Sequence, residues 1–286
     1  MKKFYPFLIL LLFACGCGRH RFEYIDIAAS EKALSSLKAN FRSIPDSLSS
    51  LRTQFMLSQG LPVADVLVFA GEVDDAAIAP PVIPYGYAFQ YVSRDMILDS
   101  LQIKGTRLYT DGGLNARLLY LQDHRMSLPL MNKLSTLASV GAVITGVKPD
   151  EPLGGADSVV FHRTVEKVWM SGNVQSGRKL YSILKSIGAR PDMKTRVPDI
   201  RMEHRHLPNT EIYYLCNEGS FSGKAKLRFR TVGRVPLLWN PDTGEIRPLD
   251  YKLKKRSTVV WMNLVPDDAC FVVFGSFAER RRFKQK

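Results

Sequence analysis

The hydrophobic pattern of this 286-residue chain changes its period near residue 200, and that change limits the folds it can adopt. Before it, short apolar runs such as residues 66–70 alternate with stretches whose apolar residues recur at the 3.6-residue spacing of a helix. After it, segments such as residues 225–230 place apolar and charged residues at alternate positions, as in a strand with one face in a core. The pattern predicts a mixed helix–strand domain followed by an all-β domain.

The first domain is predicted from the order of its elements. A continuous apolar run predicts a strand buried on both faces at residues 66–70, and further strands are predicted at residues 117–121 and 142–146. Helical spacing predicts helices at residues 47–59, 93–101, 127–140, 158–169 and 176–188. Strands that alternate with helices over short links form parallel sheets with right-handed crossovers. We therefore expect residues 46–200 to form a doubly wound α/β domain of flavodoxin- or amidotransferase-like architecture.

The second domain is predicted from short β-rich segments that turn-forming residues separate. These segments are residues 211–216, 225–230, 234–239, 258–262 and 270–274. Short strands at this spacing are typical of antiparallel sandwiches. We expect a small jelly-roll-like β-sandwich over residues 201–278, followed by a basic tail at residues 279–286.

The first 14 residues predict export. Lys2 and Lys3 precede an almost unbroken apolar run at residues 4–13. The run is too short for a transmembrane helix, which needs about 20 residues, and a positive start before such a run is typical of a signal peptide. We expect residues 1–14 to be a signal peptide.

The signal ends in a pattern that resembles a lipobox. Leu12 lies three residues before Cys15 and the small residue Ala14 lies directly before it, so Cys15 is the expected lipidation site. Cys17 is an alternative acceptor with a poorer residue at the corresponding position, and an ordinary cleaved signal is the other interpretation. We expect residues 15–45 to be a lipidated tether and the start of a helical lead-in. The protein would then lie in the cell envelope, lipid-anchored to a bacterial membrane, facing the periplasm or at the cell surface.

The formal charge of +13 raises the question of an anionic partner. Export argues against nucleic acid, and the charge is not gathered on a recognisable nucleic-acid module. The densest basic runs, residues 252–256 and 280–286, are interpreted as a solvated loop and terminus or as a surface that attracts acidic polysaccharide or anionic lipid headgroups.

The remaining cysteines and histidines do not predict a metal site or a cofactor. Cys216 and Cys270 lie in predicted strands, where either a disulfide or two buried free thiols would fit. If they lay on a strand, His204 and His206 would share a face, but no third ligand stands nearby, so a structural role is favoured. No Gly-rich phosphate loop follows a strand, and no cofactor is expected.

Several segments, in a shared order and spacing, resemble glycoside hydrolase family 106, the α-L-rhamnosidase family. The resemblance covers roughly residues 47–275. The matching segments are residues 52–60, 62–72, 84–87 (Pro-Tyr-Gly-Tyr), 96–98, 141–146 with Lys148 and Pro149, 167–169, 204–205, 211–214 with Asn217, 238–246 (Leu-Trp-Asn-Pro-Asp-Thr-Gly-Glu-Ile) and 271–274.

The resemblance is to the C-terminal portion of these enzymes. It implies a (β/α)₈-type catalytic domain ahead of the matched region, and such a barrel needs about 250 residues. Only about 30 residues separate Cys15 from the first matched helix, so we expect the catalytic barrel and its carboxylates to be absent from this chain. Gln90 also stands where the family usually has an acidic residue. The catalytic residues are therefore unknown.

Acidic residues follow the first predicted strand. Glu72, Asp74 and Asp75 come after residues 66–70, and ligands of open α/β sheets bind beyond the carboxyl ends of strands. Glycoside hydrolysis usually needs two carboxyl groups across the scissile bond. These acids are interpreted as solvating a long loop, with contact to a sugar or a metal, or direct catalysis, as alternatives.

Aromatic residues alternate in the following segment. Tyr85, Tyr87, Phe89 and Tyr91 are interpreted as a half-buried strand or as a platform for sugar rings. The carbohydrate-contact candidates are Glu72, Asp74, Tyr85, Tyr87 and Arg94.

The leading functional hypothesis is a lipoprotein that is a non-catalytic remnant or a carbohydrate-binding accessory in polysaccharide degradation. Rhamnose-containing or acidic polysaccharide is its expected ligand, and the lipid anchor its link to the membrane. The alternatives are an active glycosidase, alone or completed by a partner chain, and a structural docking module of the cell envelope. A protein partner would bind where the barrel of the family packs.

Overall fold

The computed structural model describes residues 48–73, 78 and 81–275. The predicted signal peptide, Cys15, the tether, Asp74 and the basic tail lie outside these residues. Within them, the α-helices are α1 Leu48–Ser58, α2 Leu128–Ser139, α3 Ser158–Trp169 and α4 Leu180–Ser186. The first ten strands are β1 Leu61–Pro62, β2 Val66–Phe69, β3 Phe89–Tyr91, β4 Gln102–Lys104, β5 Arg107–Tyr109, β6 Asn115–Ala116, β7 Leu118–Leu121, β8 Arg125–Ser127, β9 Ile144–Gly146 and β10 Glu151–Leu153. The others are β11 Met193–Lys194, β12 Ile200–His206, β13 Glu211–Asn217, β14 Gly223–Phe229, β15 Val235–Trp239, β16 Ile246–Pro248, β17 Asp250–Lys254, β18 Ser257–Leu264 and β19 Ala269–Gly275.

A four-stranded parallel sheet organises the first part of the described chain. Its strand order is β3-β2-β7-β9, and all three pairings are parallel. The sheet is covered on both faces, as the continuous apolar run of β2 predicts: α2 and α3 pack on one face around Leu119 and Phe161, and α4 packs on the other around Leu118 and Ile183. The predicted mixed α/β character is confirmed, and the flavodoxin- or amidotransferase-like label stays a prediction.

The helix bounds follow from local capping. The Asp157 carboxylate accepts hydrogen bonds from the backbone N–H groups of Val159 and Val160, so α3 begins at the predicted residue. The predicted helix 93–101 is shorter and contains a π-helical turn, Met96–Ser100, with the Ser93 hydroxyl accepting from the Met96 N–H as expected of a cap.

Two antiparallel sheets face each other in the second part. One has the order β1-β12-β13-β19-β15-β16 and the other β11-β14-β18-β17. Leu215 and Val272 from the first sheet and Leu227 and Val260 from the second are buried together between them. The predicted all-β part is confirmed, and the jelly-roll-like label stays a prediction. Strand β12 was not predicted, because His204 takes an inward position where the pattern needs an apolar residue.

Helix α1 lies against the sandwich, although the predicted α/β domain of residues 46–200 begins with it. Met56 packs on Trp239 and Phe271 at the outer face of the six-stranded sheet. The Arg52 guanidinium Nη1 donates to the carbonyl oxygens of Pro241 and Asp242, both at 2.9 Å. Sequence periodicity predicts that a helix has an apolar face. Which sheet buries that face depends on tertiary packing.

Cys216 and Cys270 are free thiols, which settles the alternative that the sequence leaves open. They lie on the paired strands β13 and β19, where Cys270 is opposite Leu215 and not opposite Cys216. The offset of one residue puts their side chains on opposite faces of the sheet. Burial is the main cause that raises the pKa of the Cys270 thiol to about 12.

None of the described helices combines the length and the apolar character that crossing a membrane requires.

Candidate functional site

Charged side chains gather at the carboxyl edge of the parallel sheet, where the chain leaves β2 and β3. The Arg94 Nε donates to Glu72 Oε2 at 2.7 Å, and the Ser127 backbone N–H donates to Glu72 Oε1 at 2.5 Å. The Glu72 side chain is only 7% exposed, whereas that of Arg94 is 41% exposed. Glu72 therefore ties the loops after β2 and β3 to the start of α2.

The adjacent strand β7 adds a second carboxylate to this edge. Asp123 is buried and accepts hydrogen bonds from the Arg125 backbone N–H and guanidinium at 3.0–3.1 Å. Burial alone would raise the pKa of Asp123, but the hydrogen bonds and charge of Arg125 outweigh it and lower the pKa. His124 stands between two acids, 3.4 Å from Asp123 and 3.4 Å from Glu151.

Gly71 lets the end of β2 approach this second carboxylate. Its φ is +143°, and a Cβ at this position would lie 2.5 Å from Asp123 Oδ2. The sequence interpretation did not include Asp123 and Arg125 in the site. The signal that could have identified them is the one used for Glu72, since they directly follow the predicted strand 117–121.

The predicted aromatic series does not form one platform. Tyr85 and Tyr87 precede β3, whereas Arg94 follows it. The buried Tyr87 donates its hydroxyl to the Ala189 carbonyl oxygen at 3.1 Å, and Tyr85 donates to that of Val197 at 3.3 Å. These two candidate contact residues therefore lie at the opposite end of β3 from Glu72 and Arg94.

Two aromatic side chains of the edge strand β3 are open to solvent. Phe89 is 38% exposed and Tyr91 is 52% exposed, and their rings meet edge to face at 5.7 Å between centroids. Tyr91 is three residues before Arg94, so the exposed aromatic pair borders the charged edge. Gln90, between them, pairs with Leu67 of β2.

A second polar cluster joins the parallel sheet to the sandwich. Asp65, directly before β2, accepts from Arg230 Nη1 at 2.7 Å. Arg230 Nε lies 3.2 Å from Asp192 Oδ1, and the side chains of Asp65 and Asp192 are 3% and 0% exposed. Because Asp65 and Arg230 belong to different parts of the fold, this ion pair fixes their relative position.

The cluster continues through the histidine that the sequence interpretation regarded as structural. His204 Nδ1 lies 2.6 Å from Asp192 Oδ2, and its Nε2 lies 3.0 Å from Glu211 Oε2. Burial alone would lower the pKa of His204, but the charge and hydrogen bonds of Asp192 and Glu211 outweigh it and raise the pKa to about 9. His206 shares the Glu211 carboxylate at 2.9 Å. Both histidines thus form hydrogen bonds with acidic side chains. Among the described residues, no group of three or more His, Cys, Asp or Glu is arranged to hold a metal ion.

The comparisons with known proteins agree with this architecture. A putative beta-glucuronidase from Formosa agariphila is 29% identical over 243 residues, which are 80% of this chain and 21% of that protein. The structure of a rhamnosidase from Novosphingobium sp. PP1Y superposes with a TM-score of 0.70 at 28% identity, covering 80% of this chain and 24% of the other. The chain thus spans only about a fifth to a quarter of the length of these relatives.

The family profile described as alpha-L-rhamnosidase matches residues 46–253. This match covers most of the chain and confirms the resemblance read from the sequence. The chain belongs to glycoside hydrolase family 106, the α-L-rhamnosidase family.

Proposed function

We propose that the protein is a carbohydrate-binding accessory in polysaccharide degradation, without turnover of its own. The observation that carries the proposal is the hydrogen bonding of Glu72, the acidic residue that follows strand β2 at the carboxyl edge of the sheet. Both of its carboxylate oxygens accept hydrogen bonds from the protein, one from Arg94 and one from the Ser127 backbone.

A carboxyl group that cleaves a glycoside must face the sugar with a proton or a free lone pair. Glycosidases place two such groups on either side of the scissile bond, roughly 5 to 9.5 Å apart. The neighbouring acid Asp123 has a side chain that is 1% exposed and is held by Arg125. Because both carboxylates already accept hydrogen bonds from protein donors, we assign this pair a structural role. The exposed groups around the pair are then the part of the edge that is open to a ligand.

The same edge offers groups that suit a sugar. The exposed rings of Phe89 and Tyr91 can stack on the apolar face of a pyranose. Arg94 uses Nε for Glu72 and Nη1 for Asp95 at 3.3 Å, and its side chain is partly exposed, so its Nη2 group can donate to hydroxyl groups. The names of the two relatives, a rhamnosidase and a putative beta-glucuronidase, support a glycoside as the ligand.

Binding and turnover can be measured on the same sample. The full-length chain in detergent is titrated with neutral rhamnose oligosaccharides by calorimetry, and release of rhamnose from an aryl α-L-rhamnoside is followed. We expect binding without release. Tyr91→Ala should weaken binding about 3- to 10-fold, since an aromatic contact contributes about 0.5–1.5 kcal/mol. Tyr181→Ala is the matched control, because Tyr181 is 54% exposed on α4.

Two outcomes would contradict this function. Rhamnose release that Glu72→Gln abolishes and Glu166→Gln leaves intact would establish a working glycosidase. No binding of any neutral rhamnoside by a folded sample would leave a docking role in the envelope as the better explanation.

The proposed function includes a lipid anchor at Cys15. The short apolar run before Leu12-Phe13-Ala14-Cys15 supports lipidation at Cys15 and a place in the bacterial cell envelope. Metabolic labelling with an alkyne fatty acid should mark the wild-type protein and the Cys17→Ser variant, and Cys15→Ser should lose the label. Label that follows Cys17 instead, or no label in the wild type, would refute the assignment.

A further inference from the structure

A basic cleft lies where the end of the α/β part meets the four-stranded sheet of the sandwich. Its volume is about 190 Å³. Phe229, Pro191 and Ser257 form part of its wall. The described cationic side chains that line it are five: Arg190, Lys194, Arg228, Arg230 and Arg256. This cleft is separate from the Glu72–Arg94 edge, and none of the described residues that line it is acidic.

The fold brings these cations together from distant parts of the sequence. Lys194 of β11 is the register partner of Arg228 in β14, so both side chains stand on the same face. Phe229 points inward into the sandwich core, which turns Arg228 outward. Arg256 comes from the turn that joins β17 to β18. Arg190 precedes β11 and is exposed.

One of the five cations is paired with acidic side chains, and the other four have no acidic partner among residues 48–73, 78 and 81–275. Arg230 is paired with Asp65 and Asp192. Within the residues that the structure describes, no ion pair engages the side chains of Arg190, Lys194, Arg228 or Arg256. Like charges around a concave surface repel one another and focus a positive potential in the cleft. An anion bound there would reduce this repulsion.

The outer face of the four-stranded sheet extends this positive surface. Lys226 lies two residues before Arg228 on the same face, with its Nζ 5.9 Å from the centre of the partly exposed Trp261 ring. Lys252 of β17 pairs with Val259, which also pairs with Arg228, so Lys252 stands in the same row as Arg228. The row of Lys226 and Trp261 ends in one acidic residue, Asp250. Cations spaced along a sheet face beside an aromatic ring suit a chain whose negative charges repeat.

We propose that this cleft binds uronic-acid residues of an acidic polysaccharide. The inference rests on the proposed function for the carbohydrate nature of the ligand, and on the cleft for its charge. A planar guanidinium matches a carboxylate with two parallel hydrogen bonds, and three of the four cations that lack an ion pair in the described part of the chain are arginines. The concave shape favours a single charged sugar over the flat surface of a lipid bilayer.

The test uses the full-length chain in detergent, with polygalacturonate oligosaccharides as the probe and their fully methyl-esterified form as the neutral control. We expect binding to the free acid, loss of binding on esterification, and weakening as salt rises from low to high concentration, because the contacts are ionic. The double variant Arg228→Gln/Arg256→Gln should bind at least 10-fold more weakly. The control is Lys167→Gln/Lys185→Gln, which removes the same charge from exposed positions on α3 and α4.

Other results would contradict the site, the uronate ligand or the proposed function separately. Equal loss in both double variants, or equal affinity for single-stranded DNA, would reduce the effect to net charge and overturn the site. Tighter binding of a sulfated glycan would overturn the uronate assignment. Absent uronate binding with intact binding of neutral rhamnosides refutes the cleft alone, whereas loss of both refutes the proposed function as well. Should the double variant not fold, Lys194→Gln alone replaces it, with an expected loss of about 3-fold.

Discussion

Replacing Asp192 by alanine is expected to lower the free energy of unfolding by about 3–5 kcal/mol, the loss typical of breaking a buried ion pair from one side. The Asp192 side chain is fully buried, and its oxygens meet His204 at 2.6 Å, Tyr213 Oη at 3.1 Å and Arg230 at 3.2 Å. Alanine leaves the buried His204 imidazolium and the partly buried Arg230 guanidinium each short of one partner. Urea unfolding at pH 6 measures the difference, with the exposed Asp250→Ala as the control.

The pH dependence of the free energy of unfolding tests whether the Asp192–His204–Glu211 network causes this stabilisation. The folded-state pKa of His204 is about 9, above the usual 6.5. Its contribution is therefore fully present below pH 6.5 and is lost as pH rises through about 9, and the raised pKa corresponds to roughly 3 kcal/mol. The pKa values of Asp192 and Glu211 are lowered, despite burial, mainly by His204, so their contributions are lost at acidic pH instead.

The measurement compares unfolding at pH 6 and pH 9.5 in the wild type, in His204→Gln and in His124→Gln. His124 is half exposed, and its variant should keep the wild-type decrease. His204→Gln should lose most of it. A decrease of equal size in all three proteins would show that groups outside the network cause the pH dependence.

Replacing Gly86 by alanine is expected to destabilise the fold by about 3 kcal/mol or more, or to prevent folding. The φ of Gly86 is +81°, and a Cβ there would lie 2.0 Å from the Met193 carbonyl oxygen. The Gly86 carbonyl also accepts the backbone N–H groups of Asp192 and Met193. The loop before β3 therefore meets the first strand of the smaller sandwich sheet at a distance that only glycine permits.

Gly105→Ala is the matched control for this steric effect. Gly105 has a φ of +62°, but an added Cβ would have nothing within 4 Å. Its substitution should cost only the ordinary penalty of a left-handed backbone, about 1–2 kcal/mol. Similar losses in the two variants, measured by urea unfolding, would mean that the contact with Met193 does not matter.

The elements that were predicted well are those in which a local pattern has one structural solution. All four positions of β2 are buried, as a continuous apolar run requires in a sheet covered on both faces. Helix α3 begins at Ser158 and ends at Trp169 as predicted, because Asp157 caps one end and the apolar spacing stops at the other. In β14, Leu227 and Phe229 are buried while Lys226 and Arg228 are exposed, as alternation predicts.

The site was predicted only in part. Placing Glu72 beyond the carboxyl end of a strand was sound, because parallel strands end at one edge of a sheet. Its partners were not predicted, since Ser127 lies 55 residues further along the chain. The aromatic alternation also gave no warning that Tyr87 would be buried while Tyr91 would remain 52% exposed.

The sequence by itself determined the change from mixed α/β to all-β structure, the main helices and strands, and the family. Each of these depends on patterns within a few residues or on the order of motifs along the chain. Only the tertiary structure decided that Asp65 pairs with Arg230 across 165 residues, that α1 packs on the sandwich, and that four cations without an ion pair to any described residue share one cleft. Such contacts depend on how whole elements dock and on strand register, and no local pattern encodes the partner of a side chain that lies far away in sequence.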